Sequence, residues 1–276
     1  LTSVQYTPPV TAPPNRTCEI GTPTPTSGDW GVLRICFASI ELGGVYCTDV
    51  NSNFTRFDPV YERPSGRLTN FDFAPNGTLY FVNAVDDNRI YRVVYGQQTT
   101  TYPGGGLVEE VVYTHTTYVR SVRFGPDGSL YFSEATGGGG GRIYRLEGGS
   151  PVQVARVDFF WRGDFDVGED GTLWISTGEG RELYELEGGE WVKVFKSDYD
   201  FRGFEILSAR PGYCPETIHA TWGPYLIWEF AGPGGLVLKI PIPPSLYKET
   251  GELHTTDART TIGYMVWLST PGRPTG

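Results

Sequence analysis

Acidic and amide side chains recur at one place in a repeating pattern. With the repeats of the chain aligned, the residues ending successive second strands are Asp49, Asn83, Glu134, Thr177 and Glu229. Four of the five, Asp49, Asn83, Glu134 and Glu229, carry an oxygen that can ligate a hard cation such as calcium. A bound divalent ion would polarise a carbonyl and lower the pKa of a water. The segments leading into first strands carry Arg67, Arg120, Arg162 and Arg202. Antiparallel strands put those arginines on the same face as the acids. One reading is a metal or anion site at a channel mouth. The other is structural: each acid bonds backbone N–H groups of its own turn, and the arginines pair with the acids as a ring. Repetition in every unit favours the structural reading, because a catalytic site needs asymmetry.

Other chemistry is thin, and no catalytic residue is assigned. His115, His219 and His254 lack metal-ligand spacing and read as surface or strand residues. There is no Gly-x-Ser-x-Gly elbow and no P-loop. The run Gly137–Gly141 has no following Lys-Ser/Thr, so it reads as a loop rather than a phosphate cradle. Trp161, Trp174, Trp191 and Trp228 fall at strand positions, which suits packing between repeats better than a sugar platform.

The composition excludes several classes. The chain has 276 residues, 39% hydrophobic and 14% aromatic, which rules out global disorder. No stretch approaches the ~18 apolar residues of a membrane span. The formal charge of −10, with no basic patch, repels nucleic-acid phosphates. The single Met and few Gln lean towards a hot environment, although the scarcity of Lys does not.

Four cysteines occur, Cys18, Cys36, Cys47 and Cys214, with no metal-binding spacing. Cys36 and Cys47 fall on adjacent strands and suit a disulfide across a hairpin, which leaves Cys18 and Cys214 as a candidate second pair. Four buried free thiols is the alternative. Disulfides would imply an oxidising compartment or a hyperthermophile. Sequons at Asn15, Asn53 and Asn76 lend weak support to secretion. Asn15 and Asn53 are the candidate glycosylation sites, because Asn76 lies in a tight turn. The first residue is Leu1 rather than Met, so the expectation is that a preceding part has been removed, either a signal peptide or residues beyond an artificial boundary.

These residues must be positioned by a repeat. Residues 1–29 are rich in Pro, Thr, Ser and Gly and cannot form a central strand. They read as an extended arm that packs on its own domain or on a neighbouring copy. Residues 30–276 contain three clear copies, starting at Phe71, Val122 and Phe165. Each reads as strand, Asn-Gly or Asp-Gly turn, strand, glycine-containing loop, strand, followed by a fourth strand. The turns are Asn76-Gly77, Asp127-Gly128 and Asp170-Gly171, which fit two-residue hairpins. Weaker copies from Gly43 and Gly223 match the second and third strands. Five units of roughly 40–50 residues predict an all-β propeller of four-stranded blades. The strand-like segment TIGYMVWLS could complete a blade begun near the N-terminus, and a sixth blade built from the ends is an open alternative.

The pattern resembles the NHL-repeat propellers and the senescence-marker/gluconolactonase, strictosidine-synthase-like superfamily. Asp127, Gly128, Leu130, Tyr131, Phe132, Arg142, Ile143, Tyr144 and Arg145 carry it, with counterparts around Asn76 and Asp170. It covers about residues 36–240. The resemblance implies a propeller fold, and for the lactonase-type members a central divalent metal, usually calcium. That metal is held by a Glu early in the first blade and by Asn and Asp residues facing the channel. The first-blade Glu-Gly-Pro-x-Trp signature of those enzymes would fall just before Gly43, where this chain reads RICFASIEL. Without it, the enzymatic role does not carry over residue by residue.

Three functions follow as expectations. The first is a secreted, extracellular structural protein that self-assembles into a filament or surface layer through its arm and propeller faces, with no cofactor. The second is a divalent-metal-dependent lactonase or related hydrolase with calcium near Asp49, Asn83, Glu134 and Glu229. The third is a propeller that binds glycans or peptides on one face. The first is preferred.

Overall fold

The computed structural model describes residues 34–39, 43–49, 56–63, 68–83, 87–95, 106–135, 139–159, 161, 164–168, 170–176, 182–196, 202–207, 217–222, 225–229, 237–241 and 263–268. Those residues form twenty strands and no helix. The arm at 1–29, with Asn15 and Cys18, lies outside them, as do Asn53, Arg67, Arg162, Thr177, Cys214 and His254.

Three sheets follow chain order. Blade 3 is β8 (Val119–Phe124), β9 (Leu130–Ala135), β10 (Gly141–Glu147) and β11 (Ser150–Val157). Blade 4 is β12 (Phe165–Val167), β13 (Leu173–Ser176), β14 (Glu182–Glu187) and β15 (Glu190–Lys196). Blade 5 is β16 (Arg202–Leu207), β17 (Thr217–Trp222), β18 (Tyr225–Glu229) and β19 (Val237–Pro241). Blade 2 is β4 (Asn70–Phe73), β5 (Leu79–Val82), β6 (Arg89–Tyr95) and β7 (Leu107–Thr114). Every neighbouring pair within these blades is antiparallel.

Blade 1 is discontinuous in sequence. Its outer strands are β1 (Arg34–Ser39), β2 (Gly44–Asp49) and β3 (Asp58–Glu62), and its innermost strand is β20 (Gly263–Leu268). The C-terminal strand therefore completes the first blade, and the described strands make five blades rather than six. A single parallel bridge, Tyr264 to Asn70, joins β20 to β4. The inner strands β4, β8, β12, β16 and β20 each pack on the next and close a ring.

This order corrects the alignment of the weaker copies. The segments from Gly43 and Gly223 supply third and fourth strands, not second and third. The register shows it directly. Phe37 pairs with Tyr46 as Phe81 pairs with Tyr91, Phe132 with Tyr144 and Ile175 with Tyr184. Periodicity could not separate these alternatives, since every strand in a blade alternates with the same period.

The turns also differ in detail from the expectation. Ala74 O accepts from Gly77 N at 2.8 Å, and Ala74 N donates to Thr78 O at 2.9 Å. That makes a three-residue loop with Gly77 at φ 82°, the type I turn with a left-handed glycine. Pro75 suits the second position of that turn because its ring pre-sets φ. Asn76 Oδ1 accepts from Thr78 N at 3.1 Å, and Asp127 and Asp170 repeat the bond to Ser129 N and Thr172 N. Two-residue hairpins occur instead between third and fourth strands, at Gly148-Gly149 and Gly188-Gly189.

The core lies between blades. One cluster joins Cys36, Ala38, Val45, Cys47 and Tyr61 of blade 1 to Phe71, Leu79, Phe81, Tyr91 and Val93 of blade 2. A second joins Val82 and Ile90 to Val122, Phe124, Leu130 and Phe132. A third joins Ile143, Ala155 and Val157 to Phe165, Val167, Leu173 and Ile175. Cys36 and Cys47 are cross-strand partners with Cα atoms 4.0 Å apart, and they form a disulfide inside the first cluster. Each outer strand of blades 1 to 4 carries a bulge, and the extra residue is a valine: Val60, Val112, Val154 and Val194. Bulges bend an edge strand and blunt its ability to pair with another chain.

Candidate functional site

Two polar clusters sit where blades meet. The first is built on Glu134, near the end of β9. Its Oε2 accepts from Thr117 Oγ1 at 2.6 Å and lies 3.0 Å from His115 Nε2. Its Oε1 accepts from Arg142 Nη1 at 2.5 Å and from the Tyr144 hydroxyl at 3.1 Å. Arg142 is directly across the ladder from Glu134. His115 and Thr117 come from the four-residue connection between β7 and β8, so the cluster ties blade 2 to blade 3. Asn88 holds that connection from below: its carbonyl accepts from His115 N at 2.8 Å, and its amide donates to His115 O. Burial opposes the Glu134 charge, yet the Thr117, His115, Arg142 and Tyr144 donors outweigh it and hold the carboxyl at about 2.

The second cluster lines the inner strands. Asp72, Arg123 and Asp166 occupy equivalent positions on β4, β8 and β12, and all are buried. Asn70 Oδ1 accepts from Val122 N at 3.0 Å, and Asp72 Oδ2 from Phe124 N at 2.7 Å. Two side chains of blade 2, spaced two apart, thereby satisfy two edge amides of blade 3. Arg123 Nη1 donates to Asn70 Oδ1 at 2.9 Å, Phe71 O at 3.3 Å and Val122 O at 2.7 Å. Its Nε lies 3.5 Å from Asp166 Oδ1. One guanidinium thus bridges three consecutive blades. Ser121 adds a bond to Asp164 Oδ1 at 3.3 Å.

The expected metal set does not assemble as aligned. Asn83 directly follows the second strand β5, Glu134 is the penultimate residue of the second strand β9, and both are buried. Asp49 and Glu229 end third strands, which run the other way, so they lie at the opposite end of their blades. Among the described residues, no group of three or more His, Cys, Asp or Glu is placed to hold a metal ion. Glu134 already has four protein donors, so binding a cation there would require breaking those bonds.

Other expectations resolve residue by residue. His115, read as a surface or strand residue, is buried against Glu134, Phe132 and Tyr144. His219 lies on β17. The arginine facing Glu134 is Arg142 of the repeated Arg-Ile-Tyr-Arg, not Arg120 from the segment leading into β8. Arg202 opens β16. In the glycine run, a Cβ on Gly140 would lie 2.4 Å from Val157 O. The glycine there allows a close approach of two backbones. Trp161 and Trp191 pack in the cluster between blades 3 and 4, Trp174 is fully buried, and Trp228 lies on β18. Sequence reasoning missed Arg123 and Asn70. The signal was Asp72-Arg123-Asp166, an alternation of charge at one repeat position.

No family model matches the sequence, and no curated protein matches it. Solved structures do resemble it. Virginiamycin B lyase from Staphylococcus aureus is 16% identical over 76% of this chain and 67% of its own, with a TM-score of 0.42. A gluconolactonase from Xanthomonas campestris is 16% identical over 76% and 69%, with a TM-score of 0.45. A chain of a nidogen/laminin complex is 10% identical over 89% and 100%, with a TM-score of 0.46. At such identities a likeness speaks of fold alone. By its own strand order and pairing, the chain is an all-β propeller of four-stranded blades.

Proposed function

We propose that this protein is a structural subunit that works outside the cell by assembling with copies of itself. The observation that carries the reading is the Glu134 cluster. The side chain best placed for ligand chemistry is engaged by Thr117, His115, Arg142 and Tyr144 in holding two blades together. The polar groups of the inner wall are engaged in the same way through Arg123. A propeller built so offers flat faces to stack, and head-to-tail contacts that do not close make filaments. The Pro/Thr-rich residues 1–29, read from their composition as an extended arm, are the segment expected to reach a neighbour.

The test is negative-stain electron microscopy of the purified protein near neutral pH, beside a variant lacking residues 1–26. Filaments or sheets from the full chain, lost in the variant, support the proposal. Dispersed single particles from the full chain overturn it. Metal analysis of the same sample addresses the competing hydrolase: a stoichiometric divalent ion, with hydrolysis of lactones, would replace the structural reading.

A further inference from the structure

The geometry points to β20 as an exchangeable strand, which one copy of this chain delivers to blade 1 of a second copy. The inference rests on the self-assembly reading above and names how copies would join. Three observations carry it.

The first is the tether. A connection from the outer strand of one blade to the inner strand of the next occurs five times. Four are short: residues 63–69, 115–118, 158–164 and 197–201, or seven, four, seven and five residues. The fifth, residues 242–262 between β19 and β20, has twenty-one. The same crossing is made elsewhere with seven residues or fewer. About fourteen residues are therefore surplus to closing the ring within one chain. At full extension twenty-one residues span about 70 Å, against about 25 Å for seven.

The second is how β20 is held. Its register with β1 has Ile35 opposite Leu268 and Cys36 opposite Trp267, then breaks before Ala38 opposite Gly263. Half of its six residues pair with β1. All four residues of β4 pair with β5, and five of the six of β8 pair with β9. Towards blade 2 it has the single bridge to Asn70.

The third is the receiving edge. The Cys36–Cys47 disulfide joins β1 to β2, so the edge that β20 occupies stays formed when β20 leaves. A donor strand from another copy would meet the same β1 and β4 edges and make the same pairs. Exchange therefore changes little besides tether entropy, which is why swapping an identical element is a low-cost route to oligomers. Reciprocal exchange closes a dimer. One-way donation from copy to copy leaves an open chain.

The tether also sets the concentration scale. For any twenty-one residues the random-coil end-to-end distance is about 25 Å, a separation that corresponds to an effective concentration in the mM range. Closure within one chain wins in dilute solution. Exchange competes where copies are packed to about 1 mM, as on a surface or in a filament.

The experiment uses the full chain in tagged and untagged forms, mixed near 1 mM, diluted, and captured by the tag. A second protein has residues 242–262 shortened to seven residues, the length that serves elsewhere in the ring. The expected result is untagged chain retained with the tagged chain, and at least a tenfold loss of retention in the shortened protein. A pair of substitutions, Ile35→Cys and Leu268→Cys, oxidised in dilute solution, locks β20 at home and covers the case where the shortened protein does not fold. It should lose retention equally. If the shortened and locked proteins are retained as well as the original, copies associate without exchange, and the inference is overturned while self-assembly stands. If the original shows no association at any concentration, both fail.

Discussion

The junction between blades 2 and 3 and the seam in blade 1 solve the same problem by different means. At the junction, a four-residue connection carries His115 and Thr117 onto Glu134. Asn70 and Asp72 cap two edge amides of the next blade, and Arg123 reaches across to Asp166. At the seam, the inner strand arrives from the far end of the chain and meets β1 in a broken register. A disulfide stands beside it, in the hairpin that receives it. Side chains contiguous in sequence can be held by short loops and shared hydrogen bonds. A strand that closes a ring must first find its place, and covalent support goes to the partner that waits for it.

The comparison can be broken most severely at Arg123. Arg123→Leu removes the cation beside Asp166 and takes one donor each from two carbonyls and from the Asn70 amide oxygen, which keeps its bond from Val122 N. Removing one partner of a buried pair costs about 3–5 kcal/mol, so urea unfolding should show a loss of about 4 kcal/mol. Arg123→Lys should recover only part of it, since one ammonium cannot occupy both the Nη1 and the Nε positions. Equal stability of Arg123→Leu and the original would mean the bridge contributes nothing.

At the seam, replacing Cys36 and Cys47 with serine opens a loop of eleven residues in the unfolded chain. The expected loss is about 3 kcal/mol. Hydrogen exchange should then rise first in β1, β2 and β20, ahead of blades 2 and 3. Uniform exchange across all blades would show that the seam is no weaker than the junction.

Glu134→Gln should cost about 2 kcal/mol, because the ion pair with Arg142 is lost and one of the two accepting oxygens becomes an NH2 group that cannot accept. It should also change the pH profile. The folded Glu134 carboxyl is held at about 2, below its ordinary value of 4.5. Its contribution to stability is therefore complete above about pH 4.5 and is lost as pH falls towards about 2. Acid unfolding should lose part of its slope in that window in Glu134→Gln. An unchanged slope would assign the acid sensitivity to other carboxylates. The smallest effect belongs to Asn76→Asp, since Asp127 and Asp170 make the same turn bond in their blades. It should shift stability by less than about 0.5 kcal/mol.

Much of blades 2 to 4 was legible in advance. Asn76-Gly77, Asp127-Gly128 and Asp170-Gly171 mark the turns, and the tyrosines 91, 144 and 184 mark the third strands. Blade 1 was misaligned because its first strand lies more than two hundred residues away from its second. The segment from Gly43 was then matched to the wrong pair of strands, which moved Asp49 to the wrong end of the blade. Glu134 was found, but its partners were not. His115 and Thr117 reach it from the connection between blades 2 and 3, whereas Arg142 and Tyr144, both on the neighbouring strand of the same blade, were within reach of pattern reading.

The sequence by itself determined that the chain is all-β, that it repeats, and where its hairpins turn. These are local matters, set by alternation over a few residues and by glycines that accept positive φ. The tertiary structure decided that the described strands make five blades, that β20 belongs beside β1, and that Arg123 and Glu134 serve the joints between blades. Those outcomes depend on which strand meets which across the ring, and the pairing groups of every strand are the same backbone amides and carbonyls.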